Sequence, residues 1–192
     1  MPHDPIARFH RWFNAARRAG VPQPETMALA TADAGGRPSV RFVLLKSADA
    51  RGFVFFTNGY SRKGRELRDN PRAALAMHWL SLGKQVRVEG PVEPVPAEDV
   101  DAYWHTRPRE SQLGALASQQ SAELPSRRQL VALWKRLVRT YDGKHVPRPP
   151  AWTGFRIVPE AIEFWTQRDH RLHERERFTR TRTGWQRTLL QP

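Results

Sequence analysis

The strongest constraint in this sequence is a succession of short runs of β-forming residues broken by turn signals. Met27–Thr31 ends at the turn Asp33-Ala34-Gly35-Gly36. Ser39–Lys46 and Gly52–Thr57 lie on either side of a turn at Ala48–Gly52, and Ala73–Leu80 and Gln85–Val95 read as two more strands. Runs this short do not build a helical bundle, and the first three predict an antiparallel meander. Closing strands are expected at Thr153–Val158, Ala161–Thr166, Glu174–Thr181 and Trp185–Leu190, after a proline-rich linker at Val146–Trp152. Helices are inserted between the strands. Asp4-Pro5 pairs an N-cap with proline at the first helical position, and Ile6, Phe9, Trp12, Phe13 and Ala16 then share one face up to Gly20. Ser61 caps a short helix closed before Pro71. Pro96 opens a third, acidic in its first turn, that runs to about Thr106. Ser126–Tyr141 is a fourth, with Leu130, Leu133, Trp134 and Leu137 on one face. The expected architecture is mainly β with peripheral helices, an α+β closed antiparallel barrel in one domain over residues 1–192.

Charge narrows the function. The chain carries 32 Lys+Arg against 19 Asp+Glu, a formal net charge of +13, and only five of the cations are Lys. Arginine holds planar anions in two-pronged fashion better than lysine does. Nucleic acid, a small phosphorylated ligand and plain solvated surface charge are all compatible with that excess. The cations are spread along the chain, and the densest stretch, Arg168–Arg187, lacks the aromatic platform of a single-strand binder. With no cysteine, disulfides, thiolate metal sites and cysteine nucleophiles are excluded. No apolar run approaches a membrane span and the N-terminus has no apolar signal core, so a soluble cytoplasmic protein is expected.

Five segments carry candidate chemistry. Arg41-Phe-Val-Leu-Leu-Lys46 places cations at both ends of an apolar strand, where positions 41 and 46 should face opposite ways; both could equally be strand ends in solvent. In Phe56-Thr57-Asn58-Gly59-Tyr60-Ser61-Arg62-Lys63 a strand runs into a helix N-terminus that bears two cations. Cations there oppose the helix dipole, and a bound phosphate would remove the conflict. Tyr103 and Arg107 share a helix face, with Ser111 four residues further on, a set suited to a phosphate monoester or simply to a polar helix end. Ser118-Gln119-Gln120-Ser121 is a polar loop. Arg171, His173 and Arg175 alternate, so in an extended segment all three would point the same way. No Ser-His-Asp set and no metal-ligand spacing accompanies them. Anion recognition without a protein acid, base or nucleophile fits an enzyme whose cofactor carries the reaction.

Taken together, RFVLLK, FFTNGYSRKGRELRDNPRAAL, the Gln85 strand, YWHTRPRESQLGALASQQS and EFW followed by RLHER resemble the FMN-dependent pyridoxamine (pyridoxine) 5′-phosphate oxidases, in family order over nearly the whole chain. The resemblance implies a split-barrel flavoprotein, a homodimer with FMN at the subunit interface. It implies oxidation of pyridoxamine or pyridoxine 5′-phosphate to pyridoxal 5′-phosphate, with dioxygen reduced to hydrogen peroxide. Carried over by motif, Arg41, Val43, Leu44, Lys46, Phe56, Thr57, Arg62, Lys63, Gln85, Gln120, Ser121, Trp165 and Arg175 would contact FMN, with Arg62 and Lys63 on its phosphate. Lys46, Tyr103, Arg107 and Ser111 would grip the substrate phosphate, and Arg171 and His173, the expected catalytic pair, would lie against the pyridine ring. No metal, nucleic-acid partner or membrane is implied.

Two departures stand out. The chain begins almost at its first helix, without the basic extension that many members fold over the site, so no lid from that source is expected. After Trp165 it reads Thr166-Gln167-Arg168 where the family usually has glycines, so an altered turn beside the flavin or substrate is expected. The alternatives are a sister flavin oxidase acting on a phenazine precursor, a split barrel that carries flavin or pyridoxal 5′-phosphate without turnover, and an Arg-rich nucleic-acid binder.

Overall fold

The computed structural model describes residues 4–192. Asp4 caps α1 (Pro5–Arg18), its carboxylate accepting the Ile6 amide at 2.8 Å, and Gly20 ends the element at φ +68°. Then come β1 (Thr26–Ala32), β2 (Pro38–Leu44), the short β3 (Ser47–Asp49) and β4 (Gly52–Asn58). Ser61 caps α2 (Arg62–Asp69), which is followed by β5 (Arg72–Trp79) and the long β6 (Lys84–Pro94). Three helices follow, α3 (Ala97–Thr106), α4 (Arg109–Ala117) and α5 (Arg127–Thr140), before β7 (Trp152–Ile157), β8 (Ala161–Thr166), β9 (Glu174–Thr181) and β10 (Gly184–Leu190).

The sheet is antiparallel and curls into a half-barrel. One run is ordered β10-β9-β8-β6-β5-β1-β2, and β7, β4 and β3 continue from the far half of β6. The split lies within β6. Its residues Lys84–Glu89 pair with β8, and Val92–Pro94 pair with β7. Gly90 stands at the changeover, where an added Cβ would lie 2.0 Å from the Val158 carbonyl oxygen; only glycine lets the two backbones approach there. The expected meander is corrected at this point. β2 pairs with β1, but β4 leaves that sheet and pairs with β3 and β7. That partner lies about a hundred residues downstream, and local turn signals carry no information about it. Ala48 and Asp49, within the expected turn, pair with β4, and beyond Pro108 residues 109–117 form a separate helix, α4.

The main core fills the barrel with Phe9, Met27, Leu29, Phe53, Leu75, Met77, Trp79, Val86, Ile157, Ile162 and Phe164. α1 seals one side: Phe9 meets Phe53 edge-on at 5.0 Å and packs against Trp79. A second cluster, Trp104, Leu113 and Val146, holds α3 and α4 together, with Trp134 and Leu137 of α5 against it. β2 breaks the pattern. Val40 and Phe42 face outward, 69% and 77% exposed, while Ser39, Arg41 and Val43 are the more covered set. Among the described residues no helix is long and apolar enough to cross a membrane.

Candidate active site

A cavity of about 990 Å³ opens between β2, the end of β4, the start of α2, and the α3–α4 region. That volume is at the upper end for small-molecule sites. Its lining includes five cations, Arg41, Lys46, Arg62, Lys63 and Arg107, and no carboxylate among the described residues.

The cradle at α2 is built by sequence. Ser61 is fully buried, and its hydroxyl accepts the Gly64 amide. An added Cβ at Gly64 would stand 2.3 Å from the Gly59 carbonyl oxygen, so glycine there lets the helix start fold tightly onto the preceding loop. Lys63 is buried, and among the described residues its ammonium meets only neutral acceptors: Thr57 Oγ1 at 3.1 Å, Gln120 Oε1 at 3.2 Å and Ser61 Oγ at 3.3 Å. Burial, then repulsion from Arg41, pushes it down to about 8, with Glu66 partly opposing. A buried ammonium without an anion is costly, and an incoming phosphate relieves that cost.

The neighbouring cations are held differently. Glu66 of α2 is buried, and its carboxylate accepts from Arg41 at 3.1 Å, from Arg62 at 2.8 Å, and from the Thr31 and Ser39 hydroxyls. Burial alone would raise this carboxyl; the hydrogen bonds from Thr31, Ser39, Arg62 and Arg41 outweigh it and hold it at about 2. The Arg41 guanidinium also reaches the Leu29 carbonyl and Thr31.

The second group of cations faces the same cavity. β2 ends at Leu44, so the strand alternation that would separate residues 41 and 46 stops short of Lys46, and both line the cavity. Lys46 lies over the Tyr103 ring at 5.7 Å, and Tyr103 stacks on Phe56 at 4.1 Å. α3 stops at Thr106, because Pro108 holds Arg107 in an extended conformation at φ −72°, ψ 143°. Tyr103 and Arg107 therefore share the cavity but not a helix. Burial lowers the Arg107 guanidinium from its ordinary value, with Tyr103 acting oppositely. Ser111 lies in the first turn of α4 and lines the cavity, its backbone N–H donating to the Pro108 carbonyl at 2.9 Å.

Thirteen of the residues singled out by sequence line this one cavity: Arg41, Val43, Leu44, Lys46, Phe56, Thr57, Arg62, Lys63, Tyr103, Arg107, Ser111, Gln120 and Ser121. Gln85, Trp165, Arg171, His173 and Arg175 do not. They form a separate surface group, in which Gln85 pairs with Trp165, Trp165 with Arg175, and the His173 ring packs on Trp165 at 4.6 Å. β8 is four strand positions from β2 in the sheet, about 19 Å at ~4.8 Å per strand.

The alternation expected for Arg171, His173 and Arg175 is corrected. β9 begins only at Glu174, and residues 169–171 form a tight turn with His170 and Arg171 at φ 55° and 61°. In that turn the His173 Nδ1 accepts the Arg168 amide at 3.1 Å, so the neutral ring carries its proton on Nε2. Arg175 is paired with Glu163 at 2.8 Å. Sequence reasoning missed Glu66, Trp152, Asn58 and Ser39. Glu66 follows Arg62 by four residues, a spacing that signals a helix pair, but its burial depends on Thr31 and Ser39 from distant strands.

Residues 13–166 match the pyridoxamine 5′-phosphate oxidase family, and residues 152–192 match the C-terminal dimerisation region of pyridoxine 5′-phosphate oxidase. The chain belongs to the pyridoxamine 5′-phosphate oxidase family. It is 53% identical over 98% of its length to a pyridoxine/pyridoxamine 5′-phosphate oxidase of Rubrobacter xylanophilus, covering 87% of that protein. It is 52% identical to a pyridoxine/pyridoxamine 5′-phosphate oxidase of Anaeromyxobacter dehalogenans, over 98% of this chain and 96% of that one. The crystal structure of PhzG from Burkholderia lata 383 in complex with tetrahydrophenazine-1-carboxylic acid superposes with a TM-score of 0.94 at 38% identity, over 98% of this chain and 93% of that one. A pyridoxamine 5′-phosphate oxidase-related, FMN-binding protein from Nostoc punctiforme shares the fold alone, with a TM-score of 0.79 at 15% identity over the whole of both chains. As a member of this oxidase family the chain is an oxidoreductase, and its curled antiparallel half-barrel is the family's split barrel.

Proposed function

We propose that this oxidase binds FMN and converts pyridoxamine 5′-phosphate and pyridoxine 5′-phosphate to pyridoxal 5′-phosphate. The observation that carries the reading is the cavity with five cations and, among the described residues, no carboxylate in its lining, drawn from three separate stretches of chain. The residues present fit the cofactor. Lys63, Arg62 and the α2 N-terminus would hold its phosphate, because the buried Lys63 ammonium has only neutral partners of its own. Thr57, Gln120 and Ser121 extend that wall. When bound, FMN supplies the two-electron acceptor that side chains lack, and dioxygen then takes the electrons as hydrogen peroxide.

Lys46, Tyr103, Arg107 and Ser111 would take the substrate phosphate and fix the substrate's orientation. Arg107→Ala is expected to raise KM for pyridoxine 5′-phosphate by about 10–150-fold, the equivalent of the ~1.5–3 kcal/mol of a hydrogen bond to a charged group. Steady-state kinetics on FMN-loaded protein reads this directly, and an unchanged KM removes Arg107 from the phosphate site.

The second group of residues gives the reading its assembly. The outward apolar face of β2 lies at the cavity rim, and residues 152–192 match the family's dimerisation region. A homodimer would cover that face and bring Gln85, Trp165 and Arg175 of a second copy to the flavin, with Arg171 and His173 against the substrate ring. His173 then offers Nε2–H as a donor, and Arg171 supplies positive charge beside the ring. Arg171→Ala is expected to lower turnover by about a hundredfold while the flavin content per chain, read by absorbance, stays unchanged. Parallel loss of turnover and flavin would contradict this division of labour.

One specific likeness, that to PhzG, favours a second reading, a phenazine-type carboxylic acid as substrate. A single aerobic assay separates the two. Hydrogen peroxide release with both phosphorylated vitamers and none with tetrahydrophenazine-1-carboxylic acid is expected; the reverse pattern overturns the proposal, and release with neither leaves only a flavin carrier.

A further inference from the structure

We propose that Trp152 is a positioning residue that holds the Arg107 guanidinium ready for an anionic substrate without neutralising it. The proposal rests on the reading of Arg107 as a substrate-phosphate ligand.

The two ways in which cations are fixed around this cavity differ in kind. Arg41 and Arg62 are both tied to the Glu66 carboxylate. Among the described residues Arg107 has no carboxylate within ion-pair distance, and its guanidinium makes one hydrogen bond, from Nη2 to the Ser111 carbonyl at 3.2 Å. It is held by aromatic faces instead. Its Cζ lies 3.8 Å over the Trp152 ring and 5.4 Å from the Trp104 ring. A guanidinium paired with a carboxylate is ordered but has spent part of its charge and its hydrogen-bonding edge. A guanidinium stacked on an indole is ordered too, and its N–H edge stays free for an incoming oxyanion. Pro108 makes such an anchor necessary, because it turns Arg107 out of the last turn of α3, away from the helix that would otherwise fix it.

The anchor is itself fixed to the core. Trp104 is fully buried, and its Nε1 donates to the Val146 carbonyl at 3.0 Å. Trp152 packs edge-on against Trp104 at 5.6 Å and 60°, and it opens β7 opposite Asn58 at the end of β4. The Trp152 Nε1 is buried and has no hydrogen-bond partner among the described residues. An orphaned N–H is a cost that phenylalanine or leucine at this position would avoid. What the indole supplies in return is the aromatic face best suited to a cation. The chain of contacts therefore runs from a rigid core residue, through Trp152, to a side chain at the cavity wall.

The test uses FMN-loaded protein and the series Trp152→Phe, Trp152→Leu, Arg107→Ala and the Trp152→Leu/Arg107→Ala pair. The readouts are KM and kcat for pyridoxine 5′-phosphate, the inhibition constant of inorganic phosphate, and flavin content. Trp152→Leu is expected to raise KM and the phosphate inhibition constant about tenfold, or ~1.4 kcal/mol, leaving kcat and flavin content within about twofold. Trp152→Phe, which keeps a weaker face, is expected to raise KM about threefold. In the Arg107→Ala background the leucine change is expected to add nothing, the signature of two residues acting through one contact. A Trp152 effect that persists undiminished without Arg107, or one that removes flavin in step with KM, overturns the proposal in favour of a packing role. Should the leucine variant not fold, the phenylalanine shift with and without Arg107 decides the same point. If Arg107→Ala alone leaves KM unchanged, the phosphate-ligand reading fails first, and this inference with it.

Discussion

Replacing Lys63 with alanine is expected to weaken FMN binding by about a hundredfold or more, with riboflavin, which lacks the phosphate, affected far less. Removing one partner of a buried, hydrogen-bonded charge pair costs about 2–5 kcal/mol. Lys63 is the cation here whose burial is least compensated within the chain, since Thr57, Ser61 and Gln120 give it dipoles but no charge. Its effect should depend on pH with a definite sign. Burial and Arg41 bring the free ammonium from 10.5 to about 8. Above that point the ligand-free site holds a neutral amine, and a phosphate must restore the proton before it gains the ion pair. FMN affinity is therefore expected to fall as pH rises beyond about 8, by up to about tenfold per unit. Over the same range the ligand-free fold gains stability, because the unfolded chain still binds that proton. Fluorescence titration with FMN and with riboflavin from pH 7 to 10 checks both statements. Equal weakening for the two flavins, or a flat FMN profile, would remove Lys63 from the phosphate contact. Lys63→Arg should flatten the profile, since a guanidinium keeps its proton throughout.

Glu66→Ala is expected to cost about 3–5 kcal/mol of folding stability, the range for breaking a buried ion pair from one side. The loss is large because one carboxylate serves Arg41, Arg62, Thr31 and Ser39 at once, and its removal leaves two guanidiniums and a buried lysine facing one another. The acid limb follows from the same contacts. With the folded carboxyl held at about 2 against an ordinary 4.5, its stabilisation is fully present above about pH 4.5 and is lost as pH falls toward 2. Urea unfolding at pH 7 and at pH 3.5 should therefore show a smaller difference between wild type and Glu66→Gln at the lower pH. A constant difference would mean that packing of α2, and not the charge, accounts for the loss.

The sequence made the local elements and the cavity wall legible for a physical reason: both are written in short-range chemistry. Asp4-Pro5, Ser61 and Ser126 are caps whose hydrogen bonds close within three residues, and each starts its helix where expected. The conflict between two cations and a helix dipole at Arg62-Lys63 suggests an anion there, and the fold brings these two residues into one cavity with Lys46 and Arg107. What stayed hidden depends on distant partners. The β4–β7 pairing, the burial of Glu66 between two strands, and Trp152 beneath Arg107 each join segments far apart in the chain. The turn at 169–171 was misread for another reason. Alternating residues look extended in a sequence, and nothing in Asp-His-Arg announces two successive left-handed conformations.

The inverted strand β2 has a consequence for how proteins of this design can diverge. Over Pro38–Leu44, alternate side chains face opposite ways: Ser39 and Arg41 reach the Glu66 network, and Val40 and Phe42 form the exposed greasy strip. One slip in register would exchange the two sets, burying hydrocarbon against the carboxylate and turning guanidinium outward. On the proposed reading, ligand chemistry and self-association are thus encoded in the same short ribbon of backbone. A lineage can retune either by substitution, but it cannot insert or delete a residue there without forfeiting both.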